Sequence, residues 1–553
     1  MPYSVTADTD GAVIADTDGA LFWTIWEPLL GFTEATRPFY IAEITAYEPG
    51  VGEQFIYVSD LGYRTRDTPV QTYPPLLQDA LEIQARVPLD PAQIGAVWAW
   101  GELRVINAYL ELDDIAVQWN SDARNVTIKR GIKTWDDTRG LWTDPTYASL
   151  VTVFTGLAQP WLLEETELVI PLRDPSYWLE KPWVRPAYTG AGGYNGDTEL
   201  AGVLIPQTRG RAYNVPLTLI DRVNNIWQFS DGPGFVHFLY EGGATTITWQ
   251  ADVSNLYVGT TNPGQYRFNP SRSLVQLGST LASGLAITAD VTGEFATAGN
   301  IVALPLIAKF LLTETIGVPS ALVDTASFDA VNTAYPVYNG GIFLGPEDQA
   351  TGLDVVMRCL SAIGAKIVPS RTGKIQCFML RAFNSSATPV AYYTTANIVD
   401  LKPRALPAAV HPPPERIRVA YQHNYTVQRT GVSASASANQ RQFVAQADRI
   451  AAWVSSAVAA AWKNAGDPPP FGGAVSTLVI AQAVADGIGG FFDGGLRQYD
   501  MTVPDEYGIE REYGDVIHVT HEFADLDAGK KMQVIGRGLN SRDATVTLTV
   551  IDG

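Results

Sequence analysis

Short segments in which apolar and polar residues alternate recur along the first third of the chain. Alternation with a period of two residues is typical of strands that bury one face. The pattern appears in FYIAEITAY (39–47), QFIYVSD (54–60), ALEIQARV (80–87), ELRVINAYLEL (102–112), NVTIKRG (125–131), SLVTVFTGLA (149–158) and ELVIPLRD (167–174). Turn residues separate these segments at short intervals, so residues 37–180 predict a β-barrel or a β-sandwich.

The pattern changes in the middle of the chain. Residues 181–300 are rich in glycine and proline and contain short strand-like segments such as IWQFSD (226–231). ALPLIAKFLL (303–312) predicts a helix. A second helix is predicted within 353–368, because one helical face is apolar: Leu353, Val356, Met357, Leu360 and Ile363. A hairpin formed by AKIV and IQCFML follows, which indicates a compact α+β module.

The last third begins with clustered prolines at 402–414, which mark a boundary. RIRVAYQHNYTVQ (416–428) predicts a strand, and residues 441–464 predict the clearest helix of the chain, ended by prolines from 468 to 470. Its apolar stripe consists of Phe443, Ala447, Ile450, Val454, Ala457 and Ala461. A second helix is predicted at about 476–487, and strands return at 497–553. Residues 429–496 therefore predict a helical insertion in a β domain.

Size and composition indicate a folded chain of several domains. It has 553 residues, 46% of them apolar, and a mean hydropathy of +0.01. No apolar run reaches the roughly 18 residues of a membrane span, so no stable membrane insertion is expected. The N-terminal MPYSVTADTD lacks the basic start and apolar core of a signal peptide. We expect synthesis in the cytoplasm without secretion by the general route.

Charge argues against one class of function. The formal net charge is −20, from 38 basic and 58 acidic residues. Proteins that hold nucleic acid through its phosphates need a basic surface, so such a function is disfavoured. Two cysteines, Cys359 and Cys377, are too few for a four-cysteine metal site. We interpret them as buried free thiols, with a disulfide as the alternative.

The N-terminal segment contains a perfect repeat, ADTDGA at 7–12 and at 15–20. Four aspartates in this repeat raise the question of calcium: Asp8, Asp10, Asp16 and Asp18. A calcium loop of the EF-hand type needs acidic or amide groups at its first, third and fifth positions before the glycine. Here the glycine follows the second aspartate directly, so two Asp-Gly turns in a short hairpin or an extended arm explain the repeat better.

The glycine-rich stretch 188–202 has the composition of a phosphate-binding loop but fails the dinucleotide pattern, because position 195 is Asn195 and not glycine. A dinucleotide loop also follows an apolar strand and opens a helix, whereas Pro186 interrupts the preceding run here. The P-loop ending Gly-Lys-Ser/Thr occurs nowhere in the chain. We interpret the stretch as a turn between β segments and expect no nucleotide cofactor.

The other candidate chemistry is equally weak. His518 and His521 are three residues apart on a predicted strand, so they point to opposite faces and cannot share a metal. The adjacent acids Asp113-Asp114 and Asp136-Asp137 cannot flank one glycosidic bond. A pair assembled from distant acids stays open. The sequence predicts no catalytic, cofactor-binding or metal-binding residue, no cofactor, and no enzyme.

Tryptophans are dense in and beside the first β region. They are Trp98, Trp100, Trp119, Trp135, Trp142, Trp161, Trp178 and Trp183. This density is compatible with carbohydrate binding. Large aromatic residues at strand positions belong more often to a core or a protein interface, which is the interpretation we favour.

Four motifs in fixed order resemble a run found in tail hub proteins of long-tailed (siphovirus-like) bacteriophages and gene transfer agents. They are LVIPLRD (168–174), YTGAGGYNGDTELAG (188–202), RGRAYNVPLTLID (209–221) and IWQFSDGPG (226–234). Upstream IYVSDLGYRTRDTPV (56–70) and downstream GDVIHVTHEFADLDAGKKMQVIGRGLN (514–540) also fit. The resemblance covers about residues 38–551, and the arm at 1–37 has no counterpart.

The resemblance implies a mainly β protein with α+β parts, a multidomain hub with two tail-tube-like β-barrels. It implies the following parts: an N-terminal acidic arm (1–37), a first β-barrel (38–178), a middle α+β domain (179–400), a second β-barrel (401–428 plus 497–553) and a small helical insertion (429–496). The glycine-rich stretch would then connect the first barrel to the middle domain.

The implied function is structural. Such a hub sits at the distal end of the virion tail, is made in the host bacterial cytoplasm, and forms a homotrimer. It adapts the sixfold tail tube and distal tail protein ring to a threefold central fibre or spike. The tail tube or tape measure protein would be a further partner, and genomic DNA would pass without specific binding. The alternatives are a glycan-binding receptor protein of the tail tip and a tail-associated cell-wall hydrolase.

Overall fold

The computed structural model describes residues 13–15, 21–23 and 36–552, apart from short stretches at 67–68, 80–81, 91–96, 100, 109, 279–284, 296–298, 335–337, 380–385, 409 and 524. Strands dominate the described part of the chain. The strands are β1 Val13–Ala15, β2 Leu21–Trp23, β3 Thr36–Glu48, β4 Gly52–Ser59, β5 Tyr63–Arg64, β6 Thr72–Tyr73, β7 Leu77–Asp79, β8 Glu82–Arg86, β9 Val97–Ala99, β10 Glu102–Ile106, β11 Asn125–Asp136, β12 Leu141–Thr143, β13 Val151–Ala158, β14 Leu162–Leu163, β15 Glu167–Arg173, β16 Gln207–Pro216, β17 Thr218–Asp221, β18 Ile226–Gln228, β19 Gly234–Glu241, β20 Thr248–Asp252, β21 Gln265–Asn269, β22 Leu274–Leu277, β23 Ile287–Gly293, β24 Gly341–Leu344, β25 Ala365–Pro369, β26 Ile375–Met379, β27 Ala391–Tyr393, β28 Asp400–Arg404, β29 Arg416–Tyr421, β30 Arg449–Val454, β31 Phe471–Val475, β32 Arg497–Pro504, β33 Val516–His521, β34 Leu526–Asn540 and β35 Thr545–Asp552.

Helices are short and fall mainly in the second half. They are α1 Asp113–Gln118, α2 Leu304–Phe310, α3 Thr325–Ala334, α4 Gly352–Leu360, α5 Ala438–Ala445, α6 Ser456–Ala461, α7 Leu478–Asp493 and α8 Asp505–Gly508. Single 3-10 turns occur at Tyr147–Ser149, Pro175–Leu179, Gly193–Asn195, Thr198–Leu200, Ser320–Leu322 and Ser361–Ile363, and a π turn at Leu311–Thr315. In the described part of the chain, no helix has the length and apolarity needed to cross a membrane.

The first large sheet, here named the N-terminal sheet, has the strand order β4-β3-β11-β13-β15-β10-β7, with β12 and β14 paired to its members. Its pairs are antiparallel, as in the long register between β3 and β11. The sheet curls until its two edges nearly meet. This is seen in a hydrogen bond of 2.9 Å from the Ser59 N–H, at the end of β4, to the Pro74 carbonyl just before β7. A nearly closed barrel results, which confirms the mainly β fold predicted from the alternating pattern.

The second large sheet, named the C-terminal sheet, has the order β27-β33-β34-β35-β32-β28. Its edge strands β27 and β28 are joined only by residues 394–399. The long strand β34 pairs with β33 along its first half and with β8 along its second half, and β9 pairs with β8.

These pairings differ from the expected domain boundaries in two places. Strands β8 and β9 lie within 38–178, which we expected to be the first barrel, but they join the C-terminal sheet. Strand β29, expected in the second barrel, lies in a three-stranded sheet of order β30-β29-β31. Alternation in sequence determines which face of a strand is buried, but it does not determine which strand pairs with it.

The helix predicted at 441–464 is wrong. Helix α5 ends at Ala445, β30 occupies Arg449–Val454, and α6 begins at Ser456. The apolar stripe misled because residues 450–454 are all apolar and suit a strand as well as a helix. Strand β30 finds an antiparallel partner in β29 and buries Ala451, while Ile450 and Val454 are exposed. The second predicted helix is confirmed as α7, which runs on to Asp493.

The middle of the chain builds two further sheets, of order β19-β23-β16-β24 and β17-β18-β22-β21-β20. The predicted helix and hairpin that follow are confirmed as α4 and the β25–β26 pair. Helices α2, α3 and α4 share one core with α7, as Leu304, Phe328, Met357 and Phe491 belong to the same buried cluster. Helix α7 is therefore packed into the middle region.

Two smaller predictions meet the structure here. Cys359 and Cys377 are both buried and free, as expected, and burial raises the pKa of each thiol to about 12. Strands β1 and β2 form an antiparallel hairpin with Val13 opposite Trp23, in agreement with the expected hairpin. The four aspartates of the ADTDGA repeat lie outside the described residues, and so does any calcium site there.

Candidate functional site at the junction of the two sheets

The two large sheets share one hydrophobic core. A single buried cluster takes Tyr40, Ile44 and Val126 from the N-terminal sheet and Met501 and Leu548 from the C-terminal sheet. Each fully buried side chain of this size contributes roughly 1.5–3 kcal/mol relative to exposure. The two sheets therefore form one packed unit.

A buried ion pair crosses this junction. Arg130 on β11 donates from Nε and from one terminal nitrogen to the two carboxylate oxygens of Asp505, both at 2.5 Å. Tyr40 on β3 donates its hydroxyl to the same carboxylate at 2.9 Å. The two charged side chains are only 8% and 3% exposed. Burial, followed by the charge of Asp505, raises the pKa of Tyr40, so its hydroxyl stays protonated and continues to donate.

A second arginine crosses in the opposite direction. Arg537 on β34 donates to the Val153 carbonyl on β13 at 2.9 Å, and makes longer contacts to the carbonyls of Ile509 and Arg511. Burial lowers the pKa of Arg537, with Glu512 acting against this effect. Each sheet thus sends one arginine into the other, and the fork of donors fixes their relative position.

The middle region reaches the same junction through the β25–β26 turn. The backbone N–H of Arg371 lies 3.3 Å from both carboxylate oxygens of Glu512, and its carbonyl accepts from the Thr155 N–H at 3.1 Å. Gly373 in this turn has a positive φ of 71°. A Cβ at Gly373 would lie 2.5 Å from the Thr155 carbonyl oxygen. Only glycine lets the turn approach the barrel edge this closely.

The glycine-rich stretch 188–202 closes on itself. The N–H groups of Gly190 and Gly192 donate to the carbonyls of Asn195 and Gly196, and the Asn195 N–H returns a bond to Gly192. The Tyr188 hydroxyl anchors the base of the loop to Gln228 at 2.7 Å. A phosphate cradle needs converging free N–H groups, and here these groups already have partners. The geometry is that of a structural turn.

The remaining candidate residues have local partners. His521 accepts from the Phe523 N–H, Asp113 from Asn107, and Asp136 from the backbone of Thr138 and Arg139. Within the part of the chain that the structure describes, no group of three His, Cys, Asp or Glu residues is arranged to hold a metal ion. The structure does not bring these residues together.

Several tryptophans of the first region are used internally. Trp161 donates to the Ala116 carbonyl and Trp183 to Gln207, both at 2.9 Å. Trp135 and Trp142 pack edge to face with ring centroids 5.5 Å apart. The side chains of Trp98 and Trp100 lie outside the described residues. Trp249, which the sequence analysis did not single out, is 58% exposed on the edge strand β20.

No family model matches the chain, and no curated protein matches it. The chain is similar to solved structures of tail proteins. One is the tail protein from Neisseria meningitidis MC58, with a TM-score of 0.34 and 9% identity over 93% of this chain and 96% of that chain. Another is the 43 kDa tail protein of prophage MuSo2 from Shewanella oneidensis, with a TM-score of 0.29 and 10% identity over 92% of this chain and 96% of that chain.

A third similar structure is a chain from the virion of a native gene transfer agent particle. Its TM-score is 0.34 and its identity 11%, over 64% of this chain and 85% of that chain. Gene transfer agents are among the particles whose tail hub proteins the four sequence motifs resemble.

Proposed function

We propose that this chain is a structural tail-tip or baseplate hub protein. In this role it adapts the sixfold tail tube and distal tail ring to a threefold central fibre or spike and lines the DNA exit channel. The observation that carries the proposal is the fusion of two large β-sheets through one core and two crossing arginines. The order of the family-like sequence motifs supports the same function.

The fusion matters because it solves a symmetry problem. A sixfold ring needs six similar contacts, whereas a threefold fibre needs three. A chain that carries two large sheets in a fixed relation presents six of them as a homotrimer. If the two sheets could shift relative to each other, the six contacts of such a ring would no longer be similar. The buried Arg130–Asp505 pair, which joins the sheets, therefore has a direct role in the proposed geometry.

The charge of the chain fits a channel for DNA. A net charge of −20 repels phosphate and favours passage without binding. A channel lined mainly by lysine and arginine in the assembled ring would contradict this part of the proposal.

Electron microscopy of intact particles labelled with antibody against this chain tests the proposal. Label at the tail tip is expected, and a reconstruction of that tip with threefold symmetry should contain three copies. Label along side fibres, or particles without label, would contradict the hub function.

Trp249 favours one second candidate, binding of a host glycan. Its ring is 58% exposed, and its Nε1 donates to Asp252 at 2.9 Å, which holds the ring in place for stacking on a sugar. A glycan array with the purified protein and with Trp249→Ala separates the two functions. Binding that Trp249→Ala abolishes would favour the receptor function, whereas no binding by either protein would leave the hub as the better candidate.

A further inference from the structure

A polar cleft of about 510 Å³ lies on the C-terminal sheet. It opens on the face turned away from the core: Asp500, Thr502, Thr547 and Thr549 line it, and they alternate with buried residues of β32 and β35. Gly538 of β34 lines the cleft between β8 and β35, because it is paired with both Gln84 and Thr547.

Arg86 and Arg404 both line this cleft and both interact electrostatically with Asp500, but of the two only Arg404 bonds to its carboxylate. Arg404 binds Asp500 at 2.5 Å, and the other oxygen of Asp500 accepts from the Thr549 hydroxyl at 2.8 Å. Arg86 is half-buried, and no residue of the described ranges provides it with a hydrogen bond or an ion pair. Burial, and then the positive charge of Arg404, lowers the pKa of Arg86, while Asp500 offsets this only in part.

The other polar groups define which end of the cleft is positive. Arg537 uses its donors on backbone carbonyls of the junction, so it is already occupied. Thr502 and Thr547 bond to each other at 3.1 Å and offer neutral hydroxyls. Asp543, held by Asn540 at 2.7 Å, makes the far end negative. The positive end is therefore the one that holds Arg86 and Arg404.

We propose that this cleft binds an oxyanion group, a carboxylate or a phosphate, between Arg86 and Arg404. Planar guanidinium groups recognise both anions through paired, charge-assisted hydrogen bonds. An oxyanion would complete the bonding of Arg86 and separate two like charges. The proposal stands independently of the hub function, because it rests on the cleft alone.

Two sources could supply such a group. One is free phosphate. The other is the acidic N-terminal segment of this chain itself, since residues 1–36 contain six acids and no lysine or arginine, with Asp8, Asp10, Asp16 and Asp18 in the repeat.

Isothermal titration calorimetry of the purified full chain with inorganic phosphate, at constant ionic strength, tests the site. We expect Arg86→Gln to weaken phosphate binding at least about tenfold, because a charge-assisted pair of bonds is lost. Arg139→Gln is the matched control, since that side chain is 73% exposed and does not line the cleft. Arg86→Lys keeps the charge without the fork and should bind with intermediate affinity. Circular dichroism checks that each variant is folded.

A chain with Asp8, Asp10, Asp16 and Asp18 all replaced by asparagine separates the two sources. Tighter phosphate binding by this variant than by the wild-type chain identifies the N-terminal carboxylates as the natural occupant. Equal binding by both identifies free phosphate. Absence of binding in both chains, or equal binding by Arg86→Gln and wild type, would overturn the site.

Discussion

Arg130 and Asp505 are 375 positions apart in the chain, yet their charged groups meet away from solvent. The sequence contained one usable sign of this. Arg130 falls on the same strand face as Val126 and Ile128, so a charge stands where the pattern calls for an apolar residue. The identity of its partner could not be predicted, because Asp505 begins the short helix α8 after a proline and no local sequence pattern connects it to Arg130.

Loss of one partner should be costly. Asp505→Asn leaves the Arg130 guanidinium buried without a counter-charge, so we expect the free energy of unfolding to fall by about 3–5 kcal/mol. Urea unfolding followed by circular dichroism measures it. The double variant Arg130→Met/Asp505→Leu should lose less stability than the single variants Arg130→Met and Asp505→Leu lose together. Additive losses of stability would show that the two residues do not interact.

Asp60 predicts a pH dependence. Burial raises its pKa from 3.8 to about 6, although its carboxylate accepts the Tyr40 N–H at 2.9 Å. The folded protein holds this proton more tightly than the unfolded chain. Its stabilising contribution is therefore complete below pH 3.8 and is lost as the pH rises through about 6.

Asp60→Asn should remove the loss of stability at higher pH, and its amide oxygen can still accept a hydrogen bond from the Tyr40 N–H. At about pH 7.5 we expect the variant to be more stable than wild type by up to about 3 kcal/mol, with little difference near pH 4. Urea unfolding at both pH values measures it, with Asp137→Asn on the exposed surface as the control. A gain of equal size at both pH values would contradict the assignment.

At the scale of elements, the sequence predicted strand positions well and strand partners poorly. The segments at 39–47 and 125–131 are confirmed within β3 and β11. Nothing in the sequence predicted that β8 joins the C-terminal sheet, because alternation with a period of two residues indicates only which face of a strand is buried. The error at 441–464 has a different origin, since residues 450–454 are all apolar and suit a strand as well as a helix.

A cysteine pair tests the exchange of β8. Gln84 and Gly538 are opposite each other in the β8–β34 register. Facing residues of an antiparallel pair lie about 4.5–5.5 Å apart at Cα, within the range of a disulfide. We expect Gln84→Cys/Gly538→Cys to crosslink under mild oxidation, seen as a mobility shift that dithiothreitol reverses.

Gln84→Cys/Thr72→Cys is the control for that experiment. Thr72 pairs with Arg64 in the small β5–β6 sheet, and β8 has no register with it. This pair should stay reduced. The opposite result, a crosslink to position 72 and none to 538, would mean that β8 belongs with the N-terminal segment.

For the whole molecule, two large cores imply two cooperative units. One core joins both large sheets, and the other joins α2, α3, α4 and α7. Ile44 and Ile517 lie on different sheets but in one core. Ile44→Ala and Ile517→Ala should therefore lower the midpoint temperature of the same transition in differential scanning calorimetry, because each removes about 2–5 kcal/mol of stability. Phe491→Ala should lower the midpoint temperature of the other transition. A single transition that all three variants shift equally would mean that the chain unfolds as one unit.

The crossing of β8 also limits how such a chain can be rearranged by recombination. A chimaera joined near residue 178 would take β8 from one parent and β34 from the other. The C-terminal sheet of the hybrid would then contain a strand selected against a different neighbour. Viable breakpoints should therefore avoid separating residues 82–86 from residues 536–540, and the two sheets should be inherited together although most of their sequence lies at opposite ends of the chain.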